Sequence, residues 1–491
     1  MRRTRCRSRG KLARAGRAVA LAGLLGSGLG PPLPAQLADG VLDPTFGGVG
    51  VVTLPFDLGA MRSDLGTDVV PLPGDRLLLA GSITTGSLAL PRNLAAGQLT
   101  WTGGLDTGFG GGDGRVHYPF GSSVWDLVAA AVTSQGEIVL AGSVHWSQTD
   151  ADFLVVRLHA DGSLDPTFGG GTGWVSIPFN VNPGGDLLDL ASSLFLTGSD
   201  SIVVAGTVKR GADDWDFAVA RLTATGAPHP TFGGGTGKVV IPIDAYGYAG
   251  TDQAFAVFPS ADGAIVVAGT CESLTAGNFD FAIAEIDYGG SLVPAFGKVV
   301  IPFDLVYQGA DWAYGGAVDD KGRILVAGSA EGEFGQTRAA VVCLTPAGAL
   351  CPDFGSAGRV TFPLSASPKG DEKATGVAVD DLGRILLGGT AVPTAAGNRD
   401  VAVARLLPGG ALDASFAGGS GIRVVDLNHG PGGDDDEALG LVLAAGKPVV
   451  VGATQYLDVD DDFFAVRIWV SLVQADGFER GTHEGWSHRI P

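Results

Sequence analysis

LDPTFGG (Leu164–Gly170) is one of seven copies of a single anchor, and its recurrence decides the fold. The others are DPTFGG (Asp43–Gly48), LDTGFGG (Leu105–Gly111), HPTFGG (His229–Gly234), VPAFG (Val293–Gly297), CPDFG (Cys351–Gly355) and LDASFAGG (Leu412–Gly419). Neighbouring anchor phenylalanines lie 58 to 64 residues apart. A fixed period of this length marks a repeat architecture, in which one supersecondary unit stacks on the next.

The sequence between two anchors reads as four short strands. In the fourth unit these are GKVVIPI (Gly237–Ile243), AFAVF (Ala254–Phe258) after Asp252, AIVVAGT (Ala264–Thr270) and DFAIAEI (Asp280–Ile286). They are rich in Val, Ile, Ala and Phe and bounded by Gly, Asp and Pro, the alternation of strand and turn. No segment sustains a 3.6-residue period. Seven units predict about 28 strands, and the 79 glycines match that many tight turns. Four-stranded units arranged in a ring are the blades of a β-propeller. The expected fold is therefore all-β, a seven-bladed β-propeller over residues 41–470 with four strands per blade. The phase of the repeat bears on closure. VGVVTLPF (Val49–Phe56) opens it with an outer strand, and DFFAVRIWV (Asp462–Val470) ends it on a third strand. The N-terminal strand is thus expected to close the last blade.

The set IVLAGS (Ile138–Ser143), DFLVVRL (Asp152–Leu158) and ADGSLDPTFG (Ala160–Gly169) resembles the delta-60 repeat of secreted bacterial proteins. That resemblance implies a β-propeller and carries no general enzymatic activity. The blade phase also resembles kelch propellers, in which a glycine pair ends the second strand. Here that place holds Ala80-Gly81, Ala141-Gly142, Ala205-Gly206, Ala268-Gly269, Ala327-Gly328, Gly388-Gly389 and, with the order swapped, Gly452-Ala453.

Residues 1–36 are of a different composition. Eight Arg and Lys precede the twelve-residue run Ala18–Leu29, and PPLPAQ follows. This is the layout of a secretory signal peptide, with cleavage expected near Ala35. The run is too short to span a bilayer, so no transmembrane span is expected. Removing the leader takes the net charge from −20 to −28, because the eight positive charges leave with it. Such a chain lacks the basic stripe that nucleic acid requires. A secreted, periplasmic or cell-surface location is expected, as a monomer. Residues 471–491 form a tail in which QADGFERGTHEGWSHRIP (Gln474–Pro491) resembles a short DGFE…WS ending of exported bacterial proteins; the resemblance implies a tail read by sorting machinery or a vestigial domain start, and the alternative is a disordered terminus.

The mature chain keeps Cys271, Cys343 and Cys351. Arg157 and Arg405 stand eight residues before the anchor acids Asp165 and Asp413, as candidate ion pairs. In the fifth unit both positions are cysteine, which predicts a Cys343–Cys351 disulfide in place of an ion pair. A loop that short contributes roughly 2–3 kcal/mol in the chain-entropy model.

Residues present in every unit are expected to be structural. The anchor Phe should pack between blades, and the following Gly should take a positive φ. A recurring acid, Asp64, Asp126, Asp189, Asp252, Asp311, Asp371 and one of Asp434–Asp436, should accept backbone N–H groups in the turn entering each first strand. Function is expected where units differ, in the loops entering the first strand and joining the second to the third. Those loops carry Trp125, Trp146, Trp215, Tyr248, Tyr307, Trp312 and Tyr456, suited to stacking on a sugar or to a protein partner. Asp458, Asp460 and Asp461 are weak candidates for calcium, which wants six to eight oxygens. No other cofactor is expected. The seven His show no metal-ligand spacing, and neither G-x-S-x-G nor G-x-x-x-x-G-K-[ST] occurs. No catalytic residue can be assigned from these motifs. The expectation is a non-enzymatic binding module for glycan or protein. The alternatives are a carbohydrate-active hydrolase or lyase with acids at the channel mouth, or a surface scaffold.

Overall fold

The computed structural model describes residues 37–471, except 57, 59–61, 86–91, 121–122, 246, 248, 274–276, 307–308, 333–334, 367–369, 394–396, 428–434 and 457–459. Both expected terminal segments, the leader and the tail beyond Ser471, lie outside the described residues. The described chain is all-β and propeller-like. Among the described residues the strands pair antiparallel in successive groups of four: those starting at Asp252–Pro259, Asp311–Val318 and Lys373–Val379 are separate four-stranded sheets, and those starting at Arg62–Leu72, Ser123–Val132, Leu187–Leu196 and Asp436–Ala444 are joined by short pairings into one 17-stranded sheet. In the fourth group, Asp252–Pro259 pairs with Ile265–Glu272, that strand with Phe279–Ile286, and that with Lys298–Ile301. The last group takes its fourth strand from the N-terminal side: Val51–Leu54 pairs antiparallel with Asp460–Trp469, Val51 opposite Val466.

The hydrophobic cores lie between groups, not within them. Strands that face a neighbour on both sides read as continuous apolar runs, as in Ile202–Lys209 or Ile265–Glu272. Val203, Phe217 and Phe232 of the third group pack with Val257, Val267 and Ala282 of the fourth. Each consecutive pair of groups shares such a cluster. A further one joins Val449, Val451 and Phe463 of the last group to Leu77, Leu79 and Ala95 of the first.

The Ser or Thr that follows the Ala-Gly pair in most units has a physical role in these joints. A β-bulge early in the first strand leaves an N–H without a ladder partner. The hydroxyl after the Gly of the preceding group accepts it: Ser143 from Ala191, Thr207 from Ala254, Thr270 from Ala313 and Thr390 from Ala438, at 3.0–3.3 Å. The Gly itself is required by close approach, since a Cβ at Gly206 would sit 2.0 Å from the carbonyl oxygen of Leu190. The register corrects one reading of the sequence. Gly452 pairs with Ala438 as Gly206 pairs with Ala191, so the last copy is Val451-Gly452, with no swap of order.

The anchors form as the repeat predicts. Phe46, Phe109, Phe168, Phe232, Phe354 and Phe416 are fully buried, and Phe296 nearly so. The residue after each has φ between 51° and 67°, and Ala417 holds 51° in spite of its Cβ. The anchor acids cap their own turns and take the expected cations. Asp165 accepts from Thr167 N (2.8 Å) and Arg157 Nε (2.7 Å), and Asp413 from Ser415 N (2.9 Å) and Arg405 Nε (2.8 Å). Cys343 and Cys351 are disulfide-bonded, with Cα atoms 5.4 Å apart, and Cys271 is free and buried.

Candidate functional site

In an antiparallel meander the start of the first strand, the end of the second and the start of the third meet at one end of the sheet. That end of each group gathers the acids and most of the aromatics that the sequence singled out.

The acid at the start of the first strand is a backbone clamp. Asp64 accepts from Phe56 N (2.9 Å), Asp189 from Phe179 N (2.6 Å), Asp252 from Ile243 N (2.7 Å), Asp311 from Phe303 N (2.7 Å) and Asp436 from Leu427 N (2.9 Å). In the sixth group the sequence reading was off by one. Glu372, not Asp371, accepts from Leu364 N (2.6 Å); it stands two residues before Ala374, which pairs with Gly389, as Asp252 stands two before Ala254, which pairs with Gly269. Asp371 instead accepts from Thr337 N of the neighbouring group (3.1 Å). The side chain of Asp126 is outside the described residues.

Opposite this clamp sits the residue that opens the third strand, and it pairs with the side chain two positions past its partner on the second. Asn93 Nδ2 donates to Thr85 Oγ1 (3.3 Å), Trp146 Nε1 to Asp152 Oδ2 (2.8 Å) and Arg210 Nη1 to Asp216 Oδ2 (2.8 Å). Among the described residues, two places bring three carboxylates together, with one oxygen from each inside a 4.8 Å span: Asp216, Asp244 and Asp252, and Asp400, Asp426 and Asp436. Burial raises Asp216, Asp252 and Asp400. Asp252 is pushed up to about 7 by burial and then by Asp216 and Asp244, against the amides it accepts. Asp311 likewise rises to about 7 through burial, with Asp280 and Asp304 adding repulsion.

The aromatic candidates fall into distinct settings. Trp146 is 43% exposed, yet its indole N–H is held by Asp152. Trp215 is half-buried under Lys209 Nζ, 5.4 Å from the ring centroid. Trp312 packs on Phe279 (centroids 4.6 Å apart) and lies 6.2 Å from Phe255, which in turn meets Tyr314 edge-on at 5.6 Å. Phe255, Phe279 and Tyr314 went unremarked in the sequence, although Phe255 and Tyr314 share a repeat position three residues after the clamp acid. Trp125, Tyr456 and Asp460 are described in backbone only, within or at the ends of strands, and their side chains lie outside the described residues. Tyr248, Tyr307 and Asp458 fall wholly outside them. Asp461 accepts from Ser63 Oγ (2.9 Å), a link between the last group and the first.

A family model described as "Domain of unknown function (DUF5122) beta-propeller" matches residues 134–168, 199–232, 322–354 and 383–416. Every matched segment starts in the turn region before a second strand and ends on an anchor phenylalanine. No curated protein matches. Among solved structures the chain is similar to polysaccharide lyase Uly1, at 10% identity and a TM-score of 0.45, over 82% of this chain and 89% of that one. It is similar also to the β-propeller domain of the Trilobed protease from Pyrococcus furiosus, at 10% identity and 0.43, over 83% and 93%. A third is the α-L-arabinofuranosidase Arb93A from Fusarium graminearum, at 11% and 0.41, over 73% and 97%. What the comparisons supply is a β-propeller repeat, recognised in four of the seven units.

Proposed function

We propose that the protein is an exported seven-bladed β-propeller of the delta-60 kind, closed by its N-terminal strand, that binds glycan through its variable face without catalysing a reaction. The observation that carries the reading is Trp146. Its ring is presented to solvent while the bond to Asp152 fixes its orientation, so the surface is ordered before a ligand arrives, which lowers the entropic cost of binding. The carboxylates nearby point the same way. Asp152, Asp216 and Asp252 are buried and engaged with their own scaffold, in Asp252's case with backbone amides, rather than paired across an open cleft as glycoside hydrolysis requires. Export is supported by the basic leader with its apolar run and by the Cys343–Cys351 disulfide, a bond that persists in oxidising compartments. No helix among the described residues is long and apolar enough to cross a membrane.

The test is retention of residues 37–491 on immobilised envelope and environmental polysaccharides, with assay of new reducing ends in the supernatant. Retention without new ends, weakened in Trp146→Ala and partly kept in Trp146→Phe, is expected. New reducing ends would make the protein a hydrolase or lyase instead. No retention on any polysaccharide would overturn the glycan reading in favour of a protein ligand or scaffold role.

A further inference from the structure

The junction between the sixth and seventh groups departs from the rest of the repeat in two positions, and both changes concern charge. The residue just past the fourth strand is proline at Pro55, Pro119, Pro178, Pro242, Pro302 and Pro363, but Asp426 at this junction. The residue that partners the acid opening the third strand is Thr85, Trp146 or Arg210 in three of the other groups, but Pro393 here. Proline has neither a side-chain donor nor an N–H. One junction has therefore gained a carboxylate and lost a donor.

The consequence falls on Asp400. It is only 8% exposed, and its carboxylate lies within 4.8 Å of Asp426 and Asp436 oxygens. No described residue donates a hydrogen bond to it. The two basic side chains beside the cluster are turned to another acid: Lys373 Nζ pairs with Glu437, and Arg399 Nη1 lies 3.8 Å from Glu437. A buried carboxylate with only like charges around it is costly unless a cation compensates it. The third group shows the compensated case, since there Arg210 brings a guanidinium to the same position in the Asp216, Asp244 and Asp252 cluster.

We infer that Asp400, Asp426 and Asp436 bind one divalent cation that takes the place Arg210 fills in the third group, calcium being the ion that suits the donor set. All donors are oxygens, with no sulfur or imidazole, which selects a hard ion. Asp426 is exposed, so the ion can reach the cluster from solvent. Asp436 already accepts from Leu427 N and from Thr454 Oγ1 (2.6 Å), so the ion would tie the sixth group to the seventh through a residue fixed in place.

The test is calorimetric titration of chelator-treated protein with calcium chloride, alongside thermal melts with and without EDTA. Asp426→Pro restores the residue of the other six repeats, and Asp400→Asn removes the unpaired charge without changing shape. Wild type should bind calcium, both variants should lose one site, and EDTA should lower the melting temperature of wild type more than that of either variant. Absence of calcium binding in wild type, or an unchanged stoichiometry in both variants, would overturn the assignment.

Discussion

Substituting Asp43 by Asn should loosen the join between the two ends of the chain. Asp43 precedes the strand Val51–Leu54, and Arg467 lies in Asp460–Trp469, 424 residues away. Both side chains are fully buried. Asp43 Oδ2 accepts from Arg467 Nε (2.9 Å) and Lys447 Nζ (2.6 Å), while Arg467 also reaches Thr45 Oγ1 (2.9 Å) and the Trp101 carbonyl. Burial alone would raise the Asp43 carboxyl. The bonds from Lys447 and Thr45 and the charge of Arg467 outweigh it and hold the group near about 2. Burial lowers Arg467 in turn, more than Asp43 raises it. The two partners thus register opposite net effects, as expected of a pair that is worth little against an apolar replacement and much against the loss of one member. Breaking such a pair costs on the order of 3–5 kcal/mol. With an unfolding entropy of roughly 2 cal/mol/K per residue over a body of this size, the melting temperature should fall by roughly 3–6 °C at pH 7. The sign with pH is fixed by the depressed carboxyl. Its contribution is complete above the unfolded value near 4 and is lost as pH falls toward about 2, so wild type and variant should converge in acid. The assay is a thermal melt at pH 7 and pH 2.5. Asp43→Leu with Arg467→Met, which removes both charges, should recover most of the loss. A single variant within about 1 °C of wild type, or a double variant as unstable as the single, would refute the reasoning.

Two further outcomes follow from the buried acids and the cysteines. Asp252 is raised to about 7, so its proton is held in the folded state where the unfolded chain has released it. Stability should therefore rise as pH falls from about 7 to about 4, and Asp252→Asn should raise the melting temperature at pH 8 more than at pH 5; an equal effect at both would remove the charge-burial argument. In residues 37–491, thiol titration should find one group after denaturation without reductant and none in the native state, because Cys271 is buried and its thiol is pushed up, by burial first and then by Asp252 and Asp280. Three thiols after denaturation would contradict the disulfide.

Much of the candidate site was legible in the repeat itself. An acid recurring at one phase of every unit announced a structural duty, and the amides it accepts are those of the turn entering the first strand. Asp371 was misplaced because two acids stand side by side there, and sequence spacing does not say which carboxylate reaches the Leu364 amide. The exposed tryptophans were recognisable as unlike the repeat, but their partners were not. The bond from Trp146 to Asp152 crosses a hairpin, and the stacking of Trp312 on Phe279 crosses two groups.

The sequence by itself determined the period, the strand content, the anchor with its positive φ, the Arg–Asp pairs and their replacement by a disulfide. All of these are local, set by residues within one unit, so the pattern of the repeat announces them. The tertiary structure decided what happens between units: the hydroxyls that take the bulge amides, the packing of Phe463 on the first group, the Asp43–Arg467 pair, and the meeting of Asp400, Asp426 and Asp436. Those contacts join residues tens to hundreds of positions apart, and their energies depend on burial and charge, which only the folded chain defines.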